Sequence, residues 1–175
     1  MRILIAGIGN IFSKDDGCGS YVAQALQGCI NGVDIIDFGT GGLQIIDKML
    51  EYDFIIFIDA GDIEKDVQML EINENALDSD ELVQTVLTMS LGSSHGITLD
   101  DILTIFKIRK FSGKIIFILC KPYSLDLGLG LTEQCKENAI KTIRELNKFL
   151  RENFEIAIDT NKAEKNLEKI LEKIT

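Results

Sequence analysis

A chain of 175 residues suffices for a single domain whose core removes roughly 70% of the unfolded chain's surface from water, with no disulfide or metal needed for folding. Its 46% hydrophobic and 26% charged content is that of a globular protein. The net charge of -10, from 28 acidic and 18 basic residues with no cluster of Lys and Arg interleaved with aromatics, excludes a phosphate-tracking surface, so neither nucleic acid nor an anionic membrane is an expected partner.

In chain order, short β-branched runs alternate with stretches of helical period, the pattern of parallel strands joined by crossover helices. RILIA (2–6) predicts the first strand and residues 18–29 the first helix. VDIID (33–37) predicts the second strand and 42–51 the second helix. FIIFID (54–59) follows as a strand, and VQMLEI (67–72) as another. The short AGDIEKD link between them leaves no room for a helical crossover and predicts antiparallel pairing for VQMLEI. Helices over 79–88 and 99–110, the strand KIIFILC (114–120) and a helix over 132–152 complete the series. The expected fold is α/β: a three-layer α/β/α sandwich with a mostly parallel sheet, right-handed crossovers and one antiparallel strand. Residues 1–153 form this domain; 154–175 read as an appendage, in which FEIAID suggests a short strand and Leu167, Ile170, Leu171 and Ile174 recur at helical spacing.

No apolar run reaches the roughly 18 residues of a membrane span. AGIGN and then SKDD interrupt the amino-terminal apolar stretch before a secretory core can form. The four cysteines, Cys18, Cys29, Cys120 and Cys135, are scattered with no CxxC pair, which predicts buried free thiols and a cytoplasmic protein.

Three residues stand where such folds keep their sites, beyond the carboxyl ends of strands. Asp15 and Asp16 follow the first strand's glycine-rich turn and precede a helix. One aspartate suffices to cap that helix, which leaves Asp16 to face the sheet edge. Asp59 emerges from the apolar FIIFI, where a carboxylate needs a partner. His95, the chain's one histidine, lies in SLGSSHGITLDD before a capping-box-like Thr98 and Asp101. Two carboxylates and one imidazole make the protein half of an open site for a borderline divalent ion such as nickel or zinc. Positions are left for water, a carbonyl or another protein's ligand. Gly7, Gly9 and Asp37 also match part of a dinucleotide fingerprint, but Phe12 stands at the third glycine and the two aspartates repel a pyrophosphate. Gly7 and Gly9 permit a tight turn, and Gly17 and Gly19 are expected to let backbone approach a ligand.

GIGNIFSKDDGCG, DFGTGG (37–42), FIIFIDAGD (54–62) and SSHG (93–96) together resemble the hydrogenase maturation endopeptidases, over about residues 1–150. That family trims a carboxy-terminal extension from the large subunit of nickel–iron hydrogenases. KPYSLDLGLGLTEQCKENA is similar to members serving deazaflavin-coenzyme-reducing hydrogenases, although KPYS stands where relatives often carry an acidic residue before the proline. The resemblance implies that Asp16, Asp59 and His95 contact metal and carry catalysis, with Asp16 where many members have glutamate, and that Asp37, Gly39 and Thr40 line the substrate region. It implies nickel supplied by the large-subunit precursor, no permanent organic cofactor, and metal-assisted hydrolysis of a peptide bond. A non-catalytic checkpoint that binds the nickel-loaded large subunit is the alternative, and a dinucleotide-binding oxidoreductase a more distant one.

Overall fold

Strands whose residues are buried on both faces form the middle of the sheet. β1 (Ile3–Ile8) and β3 (Phe54–Ala60) are buried along their whole length, and β5 (Lys114–Cys120) after its first residue. Such continuous apolar runs are the signature of parallel strands covered on both sides. The edge strands β2 (Asp34–Gly39) and β4 (Val67–Ile72) are only partly buried. In this computed structural model the described residues are 1–41, 44–72, 84 and 99–174. The helix expected over 79–88, save Gln84, and His95 lie outside them.

The sheet order is β2-β1-β3-β5-β4, with every pair parallel except β4·β5. Register follows the apolar pattern: Ile5 sits opposite Ile35 and Ile56, and Phe57 opposite Phe117. The antiparallel strand therefore pairs not with β3, to which the short link joins it, but with β5, which inserts between the two (Val67 opposite Cys120, Ile72 opposite Ile115).

Alternation sends two sets of side chains to opposite faces. Ile3, Ile5, Ile56, Ile58, Ile116 and Ile118 pack beneath α1 (Cys18–Leu26) and the long helix Glu133–Phe154. Leu4, Ala6, Ile55, Phe57, Ile115 and Phe117 pack beneath α2 (Gln44–Met49) and α3 (Leu99–Ile108), where Phe57 stacks on Phe117 at 5.1 Å between centroids. The three expected layers are thus present. α1 stops earlier than its period suggests because Gln27 leaves the helical region (ψ 124°), and Gly28 turns the chain at φ +72°. α3 stops at Ile108 because Lys110 does the same, φ 51°.

Residues 154–159 do not form a strand. The long helix, α4, runs to Phe154; Glu155 takes a left-handed conformation (φ 57°) and Ile156 donates its N–H back to the Leu150 carbonyl at 3.3 Å. These are the bonds of a helix C-cap, so the backbone groups a strand needs are already engaged. The apolar alternation of Phe154, Ile156 and Ile158 packs this turn against the core. Asp159 then starts α5 (Thr160–Ile174) by accepting the Lys162 N–H at 3.0 Å. Ala163, Leu167 and Leu171 of α5 are buried against the chain's own core. Arg144 clasps Glu164 with two hydrogen bonds (2.8 and 3.2 Å), and Asn166 donates to the Ala25 carbonyl at 3.0 Å.

Candidate active site

The turn between β1 and α1 is built by close approach. Gly9 has φ +148°, and a Cβ there would fall 2.1 Å from the Asp16 carbonyl oxygen, so only glycine fits. A Cβ on Gly19 would fall 2.0 Å from the Ile58 carbonyl oxygen and 2.3 Å from that of Ile8. Gly19 therefore serves not a ligand but the packing of α1 on the carboxyl ends of β1 and β3. A Cβ on Gly17 would likewise fall 2.9 Å from the Ile11 Cα. This seating brings Asp16, in the 3-10 turn Lys14–Gly17, up to Asp59 at the end of β3.

Asp59 is 8% exposed and accepts the Ala60 N–H at 2.8 Å. Burial first, then the charge of Asp16, pushes its carboxyl well above the usual carboxylate range. Asp16 is half-buried, accepts the Asn10 N–H at 3.3 Å, and is also raised, by burial. The structure thus brings together two of the three expected ligands as mutually repelling carboxylates; His95 lies outside the described residues. Two close carboxylates that both resist ionisation either share a proton or hold a cation, which restores both charges.

Asp37, Gly39 and Thr40 stand one strand over, at the carboxyl end of β2. The Asp37 oxygens accept Gln24 Nε2 (2.7 Å) and the Gly39 N–H (3.0 Å). Gly39, at φ +53°, accepts the Gly9 N–H at 3.1 Å, tying this strand end to the β1 turn. Thr40 is exposed.

Asp15 departs from the expected capping role. α1 has Gly17 at its N-cap and no side-chain cap. The fully buried Asp15 carboxylate instead accepts the N–H groups of Tyr123 (2.8 Å), Ser124 (3.0 Å) and Thr132 (2.7 Å), and the Thr132 hydroxyl (2.7 Å). It thereby folds the 121–132 loop onto the β1 turn. Lys14 N–H donates to the Gly128 carbonyl and Gly128 N–H to that of Phe12, both at 2.9 Å. The paired segments hold Phe12, Tyr123, Leu125, Leu127 and Leu129 out to solvent, Leu127 at 88% exposure. Beside them Ile63, Lys121, Pro122 and Leu125 line a cavity of about 240 Å³. The sequence signal for this loop is the stretch KPYSLDLGLGLT, whose leucines at 125, 127, 129 and 131 alternate as in a strand while Gly128 and Gly130 interrupt it.

The cysteines are buried and free, but three of them converge. Cys18 opens α1, Cys120 ends β5 and Cys135 lies in the first turn of α4; their Sγ atoms all fall within 4.8 Å of one another. Cys18 donates to Cys120 across 2.8 Å, and Cys120 and Cys135 are 3.9 Å apart. Bonds from Cys135, then Cys18, pull the Cys120 thiol down to about 5, while the other two are pushed up by sharing with it. Separations of 102 and 15 residues hide this grouping from any local motif.

A sequence model of the family described as Hydrogenase maturation protease (HycI) matches residues 21–148. The hydrogenase 2 maturation protease of Escherichia coli strain K12 is 28% identical over 157 residues, 87% of this chain and 93% of that protein. Among solved structures, the hydrogenase maturating endopeptidase HybD of E. coli superposes with a TM-score of 0.71 at 26% identity, over 90% of this chain and 96% of its own. The [NiFe] hydrogenase maturation protease HycI of Thermococcus kodakarensis KOD1 gives 0.61 at 26% identity, over 87% and 93%.

Proposed function

This chain belongs to the hydrogenase maturation protease family, and from that premise we propose that it is an endopeptidase that removes the carboxy-terminal extension of a nickel-loaded hydrogenase large-subunit precursor. The observation that carries the reading is the Asp16–Asp59 pair, two carboxylates held against their charge at the edge of the sheet. Such a pair suits a cation carried in by the substrate, because ionised carboxylates then gain a counter-charge in place of mutual repulsion. Among the described residues no lysine or arginine is bonded to either carboxylate.

In this reading nickel is part of the substrate, and its chemistry is to polarise the scissile carbonyl or an attacking water. Asp59, fixed by the Ala60 N–H and sunk at the strand end, is the anchoring ligand. Asp16 is the more exposed of the two and retains room for a water, so it accepts the water's proton as general base. His95 completes the ligand set. Asp37 and Gly39, already braced by their own hydrogen bonds, and Thr40 guide the peptide along the end of β2. The apolar residues carried by the Phe12 turn and the 121–132 loop are continuous with Asp15 and Asp16 through the Gly128 bonds, and they receive the body of the precursor.

The test is the intact mass of nickel-loaded and nickel-free precursor before and after incubation with the protein. Loss of a carboxy-terminal peptide from the loaded form alone supports nickel-gated proteolysis. Tight binding of the loaded form without any loss of mass overturns it in favour of a checkpoint. Running hydrogenase precursors of the deazaflavin-coenzyme-reducing class beside others identifies the client.

A further inference from the structure

We infer that Cys18, Cys120 and Cys135 form a thiolate site for one thiophilic metal ion of the Zn²⁺ or Cu⁺ class, separate from the Asp16–Asp59 pair and lying under it. Three sulfurs around one ion at about 2.3 Å stand about 4.0 Å apart in a trigonal arrangement. Cys120 and Cys135 already have that separation, 3.9 Å, and all three fall within 4.8 Å. The Cys18–Cys120 edge, at 2.8 Å, has to open by about 1.2 Å to accommodate the ion. Soft thiolates in a water-free site select soft or borderline d¹⁰ ions over magnesium, calcium or manganese.

The surroundings favour a cation. All three cysteines are 0% exposed, and their sulfurs converge away from water. The negative charge left on a three-thiolate centre faces the amino-terminal ends of α1 and α4, where helix dipoles accept it. On binding, each sulfur that still carries a proton releases it to solvent and forms one metal–sulfur bond; no electron is exchanged. The ion joins α1, β5 and α4 at one point. Cys18 lies two residues after Asp16, and Cys120 pairs with Ala60, the neighbour of Asp59, so the ion stiffens the floor on which both carboxylates stand.

The experiment titrates reduced, metal-stripped full-length protein with Co²⁺, reading thiolate-to-metal charge-transfer absorbance, and then displaces it with Zn²⁺ against a chromophoric chelator. One ion per chain is expected. Uptake should persist in the Asp16→Asn/Asp59→Asn double variant and in Cys29→Ala, and its affinity should fall at least about tenfold in Cys135→Ala. Circular dichroism of each variant establishes that it is folded. No uptake by folded wild type, wild-type affinity in Cys135→Ala, loss of uptake in the double carboxylate variant, or a Cys18–Cys120 disulfide in the isolated protein would each overturn the proposal.

Discussion

Asp15→Asn separates the architecture of the site from its chemistry, because the two adjacent aspartates have opposite tasks. Asp15 Oδ2 accepts three hydrogen bonds, from the Tyr123 and Ser124 N–H groups and the Thr132 hydroxyl, and Oδ1 accepts the Thr132 N–H. Asparagine keeps one acceptor oxygen and presents an NH₂ where the other stood, so donors there face a donor. With the amide oxygen in the Oδ2 place, at least the Thr132 N–H bond is lost in a fully buried setting, and the other three go to a neutral acceptor. At about 1.5–3 kcal/mol for a bond to a charged acceptor, the expected cost is at least about 1.5 kcal/mol. With roughly 2–4 °C per kcal/mol for a chain of this size, Tm falls by about 3 °C at the least. Urea unfolding followed by circular dichroism gives the free energy, and limited proteolysis should cut between residues 121 and 132 far faster than in wild type. A loss below about 1 kcal/mol, with the loop still protected, would refute the claim that this carboxylate holds the loop.

Asp16→Asn should abolish precursor cleavage while leaving Tm equal to or above wild type, since it removes a charge that opposes Asp59; precursor mass and a thermal scan read the two effects separately. His95→Ala should also abolish cleavage and leave the far-ultraviolet spectrum unchanged. Asp59 has a raised folded-state proton affinity, so between the ordinary carboxylate range and its higher folded value the native state binds more protons than the unfolded state. Its contribution to stability accordingly declines as pH rises through that window, and Asp59→Asn should remove this decline from a pH series of unfolding free energies; an identical slope in the variant would contradict the assignment. Leu127→Asp, at an 88% exposed position, should leave Tm within about 1 °C and raise KM for the precursor, whereas unchanged KM would remove the 121–132 loop from the docking surface. Leu167→Ala, at a fully buried position of α5, should cost about 2–5 kcal/mol in urea, and a negligible cost would mean that α5 does not support the domain.

What was legible in the sequence was whatever the physics writes locally. Period-two and continuous apolar runs predict the five strands found among the described residues, because a strand's burial is stamped on consecutive residues. The position of Asp59 followed from the same logic, since a charge at the end of an apolar strand has few places to go but the sheet edge, whereas Asp16 is carried there by the 3-10 turn beyond β1. What was not legible was decided by partners far along the chain. FEIAID alternates like a strand, yet Asp159 N–H bonds to the Cys29 carbonyl and Ile158 N–H to Asn147 Oδ1, contacts that make it a corner between two helices. β4 was correctly read as antiparallel, but its pairing with β5 depends on a strand inserted between it and its sequence neighbour. Asp15 and Asp16 are indistinguishable by propensity. One became a buried anchor and the other an open carboxylate because donors more than a hundred residues away converge on the first. The three thiols show the same division most sharply: each is placed by a locally readable element, a helix start, a strand end and a helix first turn, and only the topology that stacks those ends on one face turns three unremarkable cysteines into a cluster. Chemistry that depends on such convergence is therefore found by asking which element ends meet at the carboxyl edge of the sheet, a question the strand order answers and motif spacing does not.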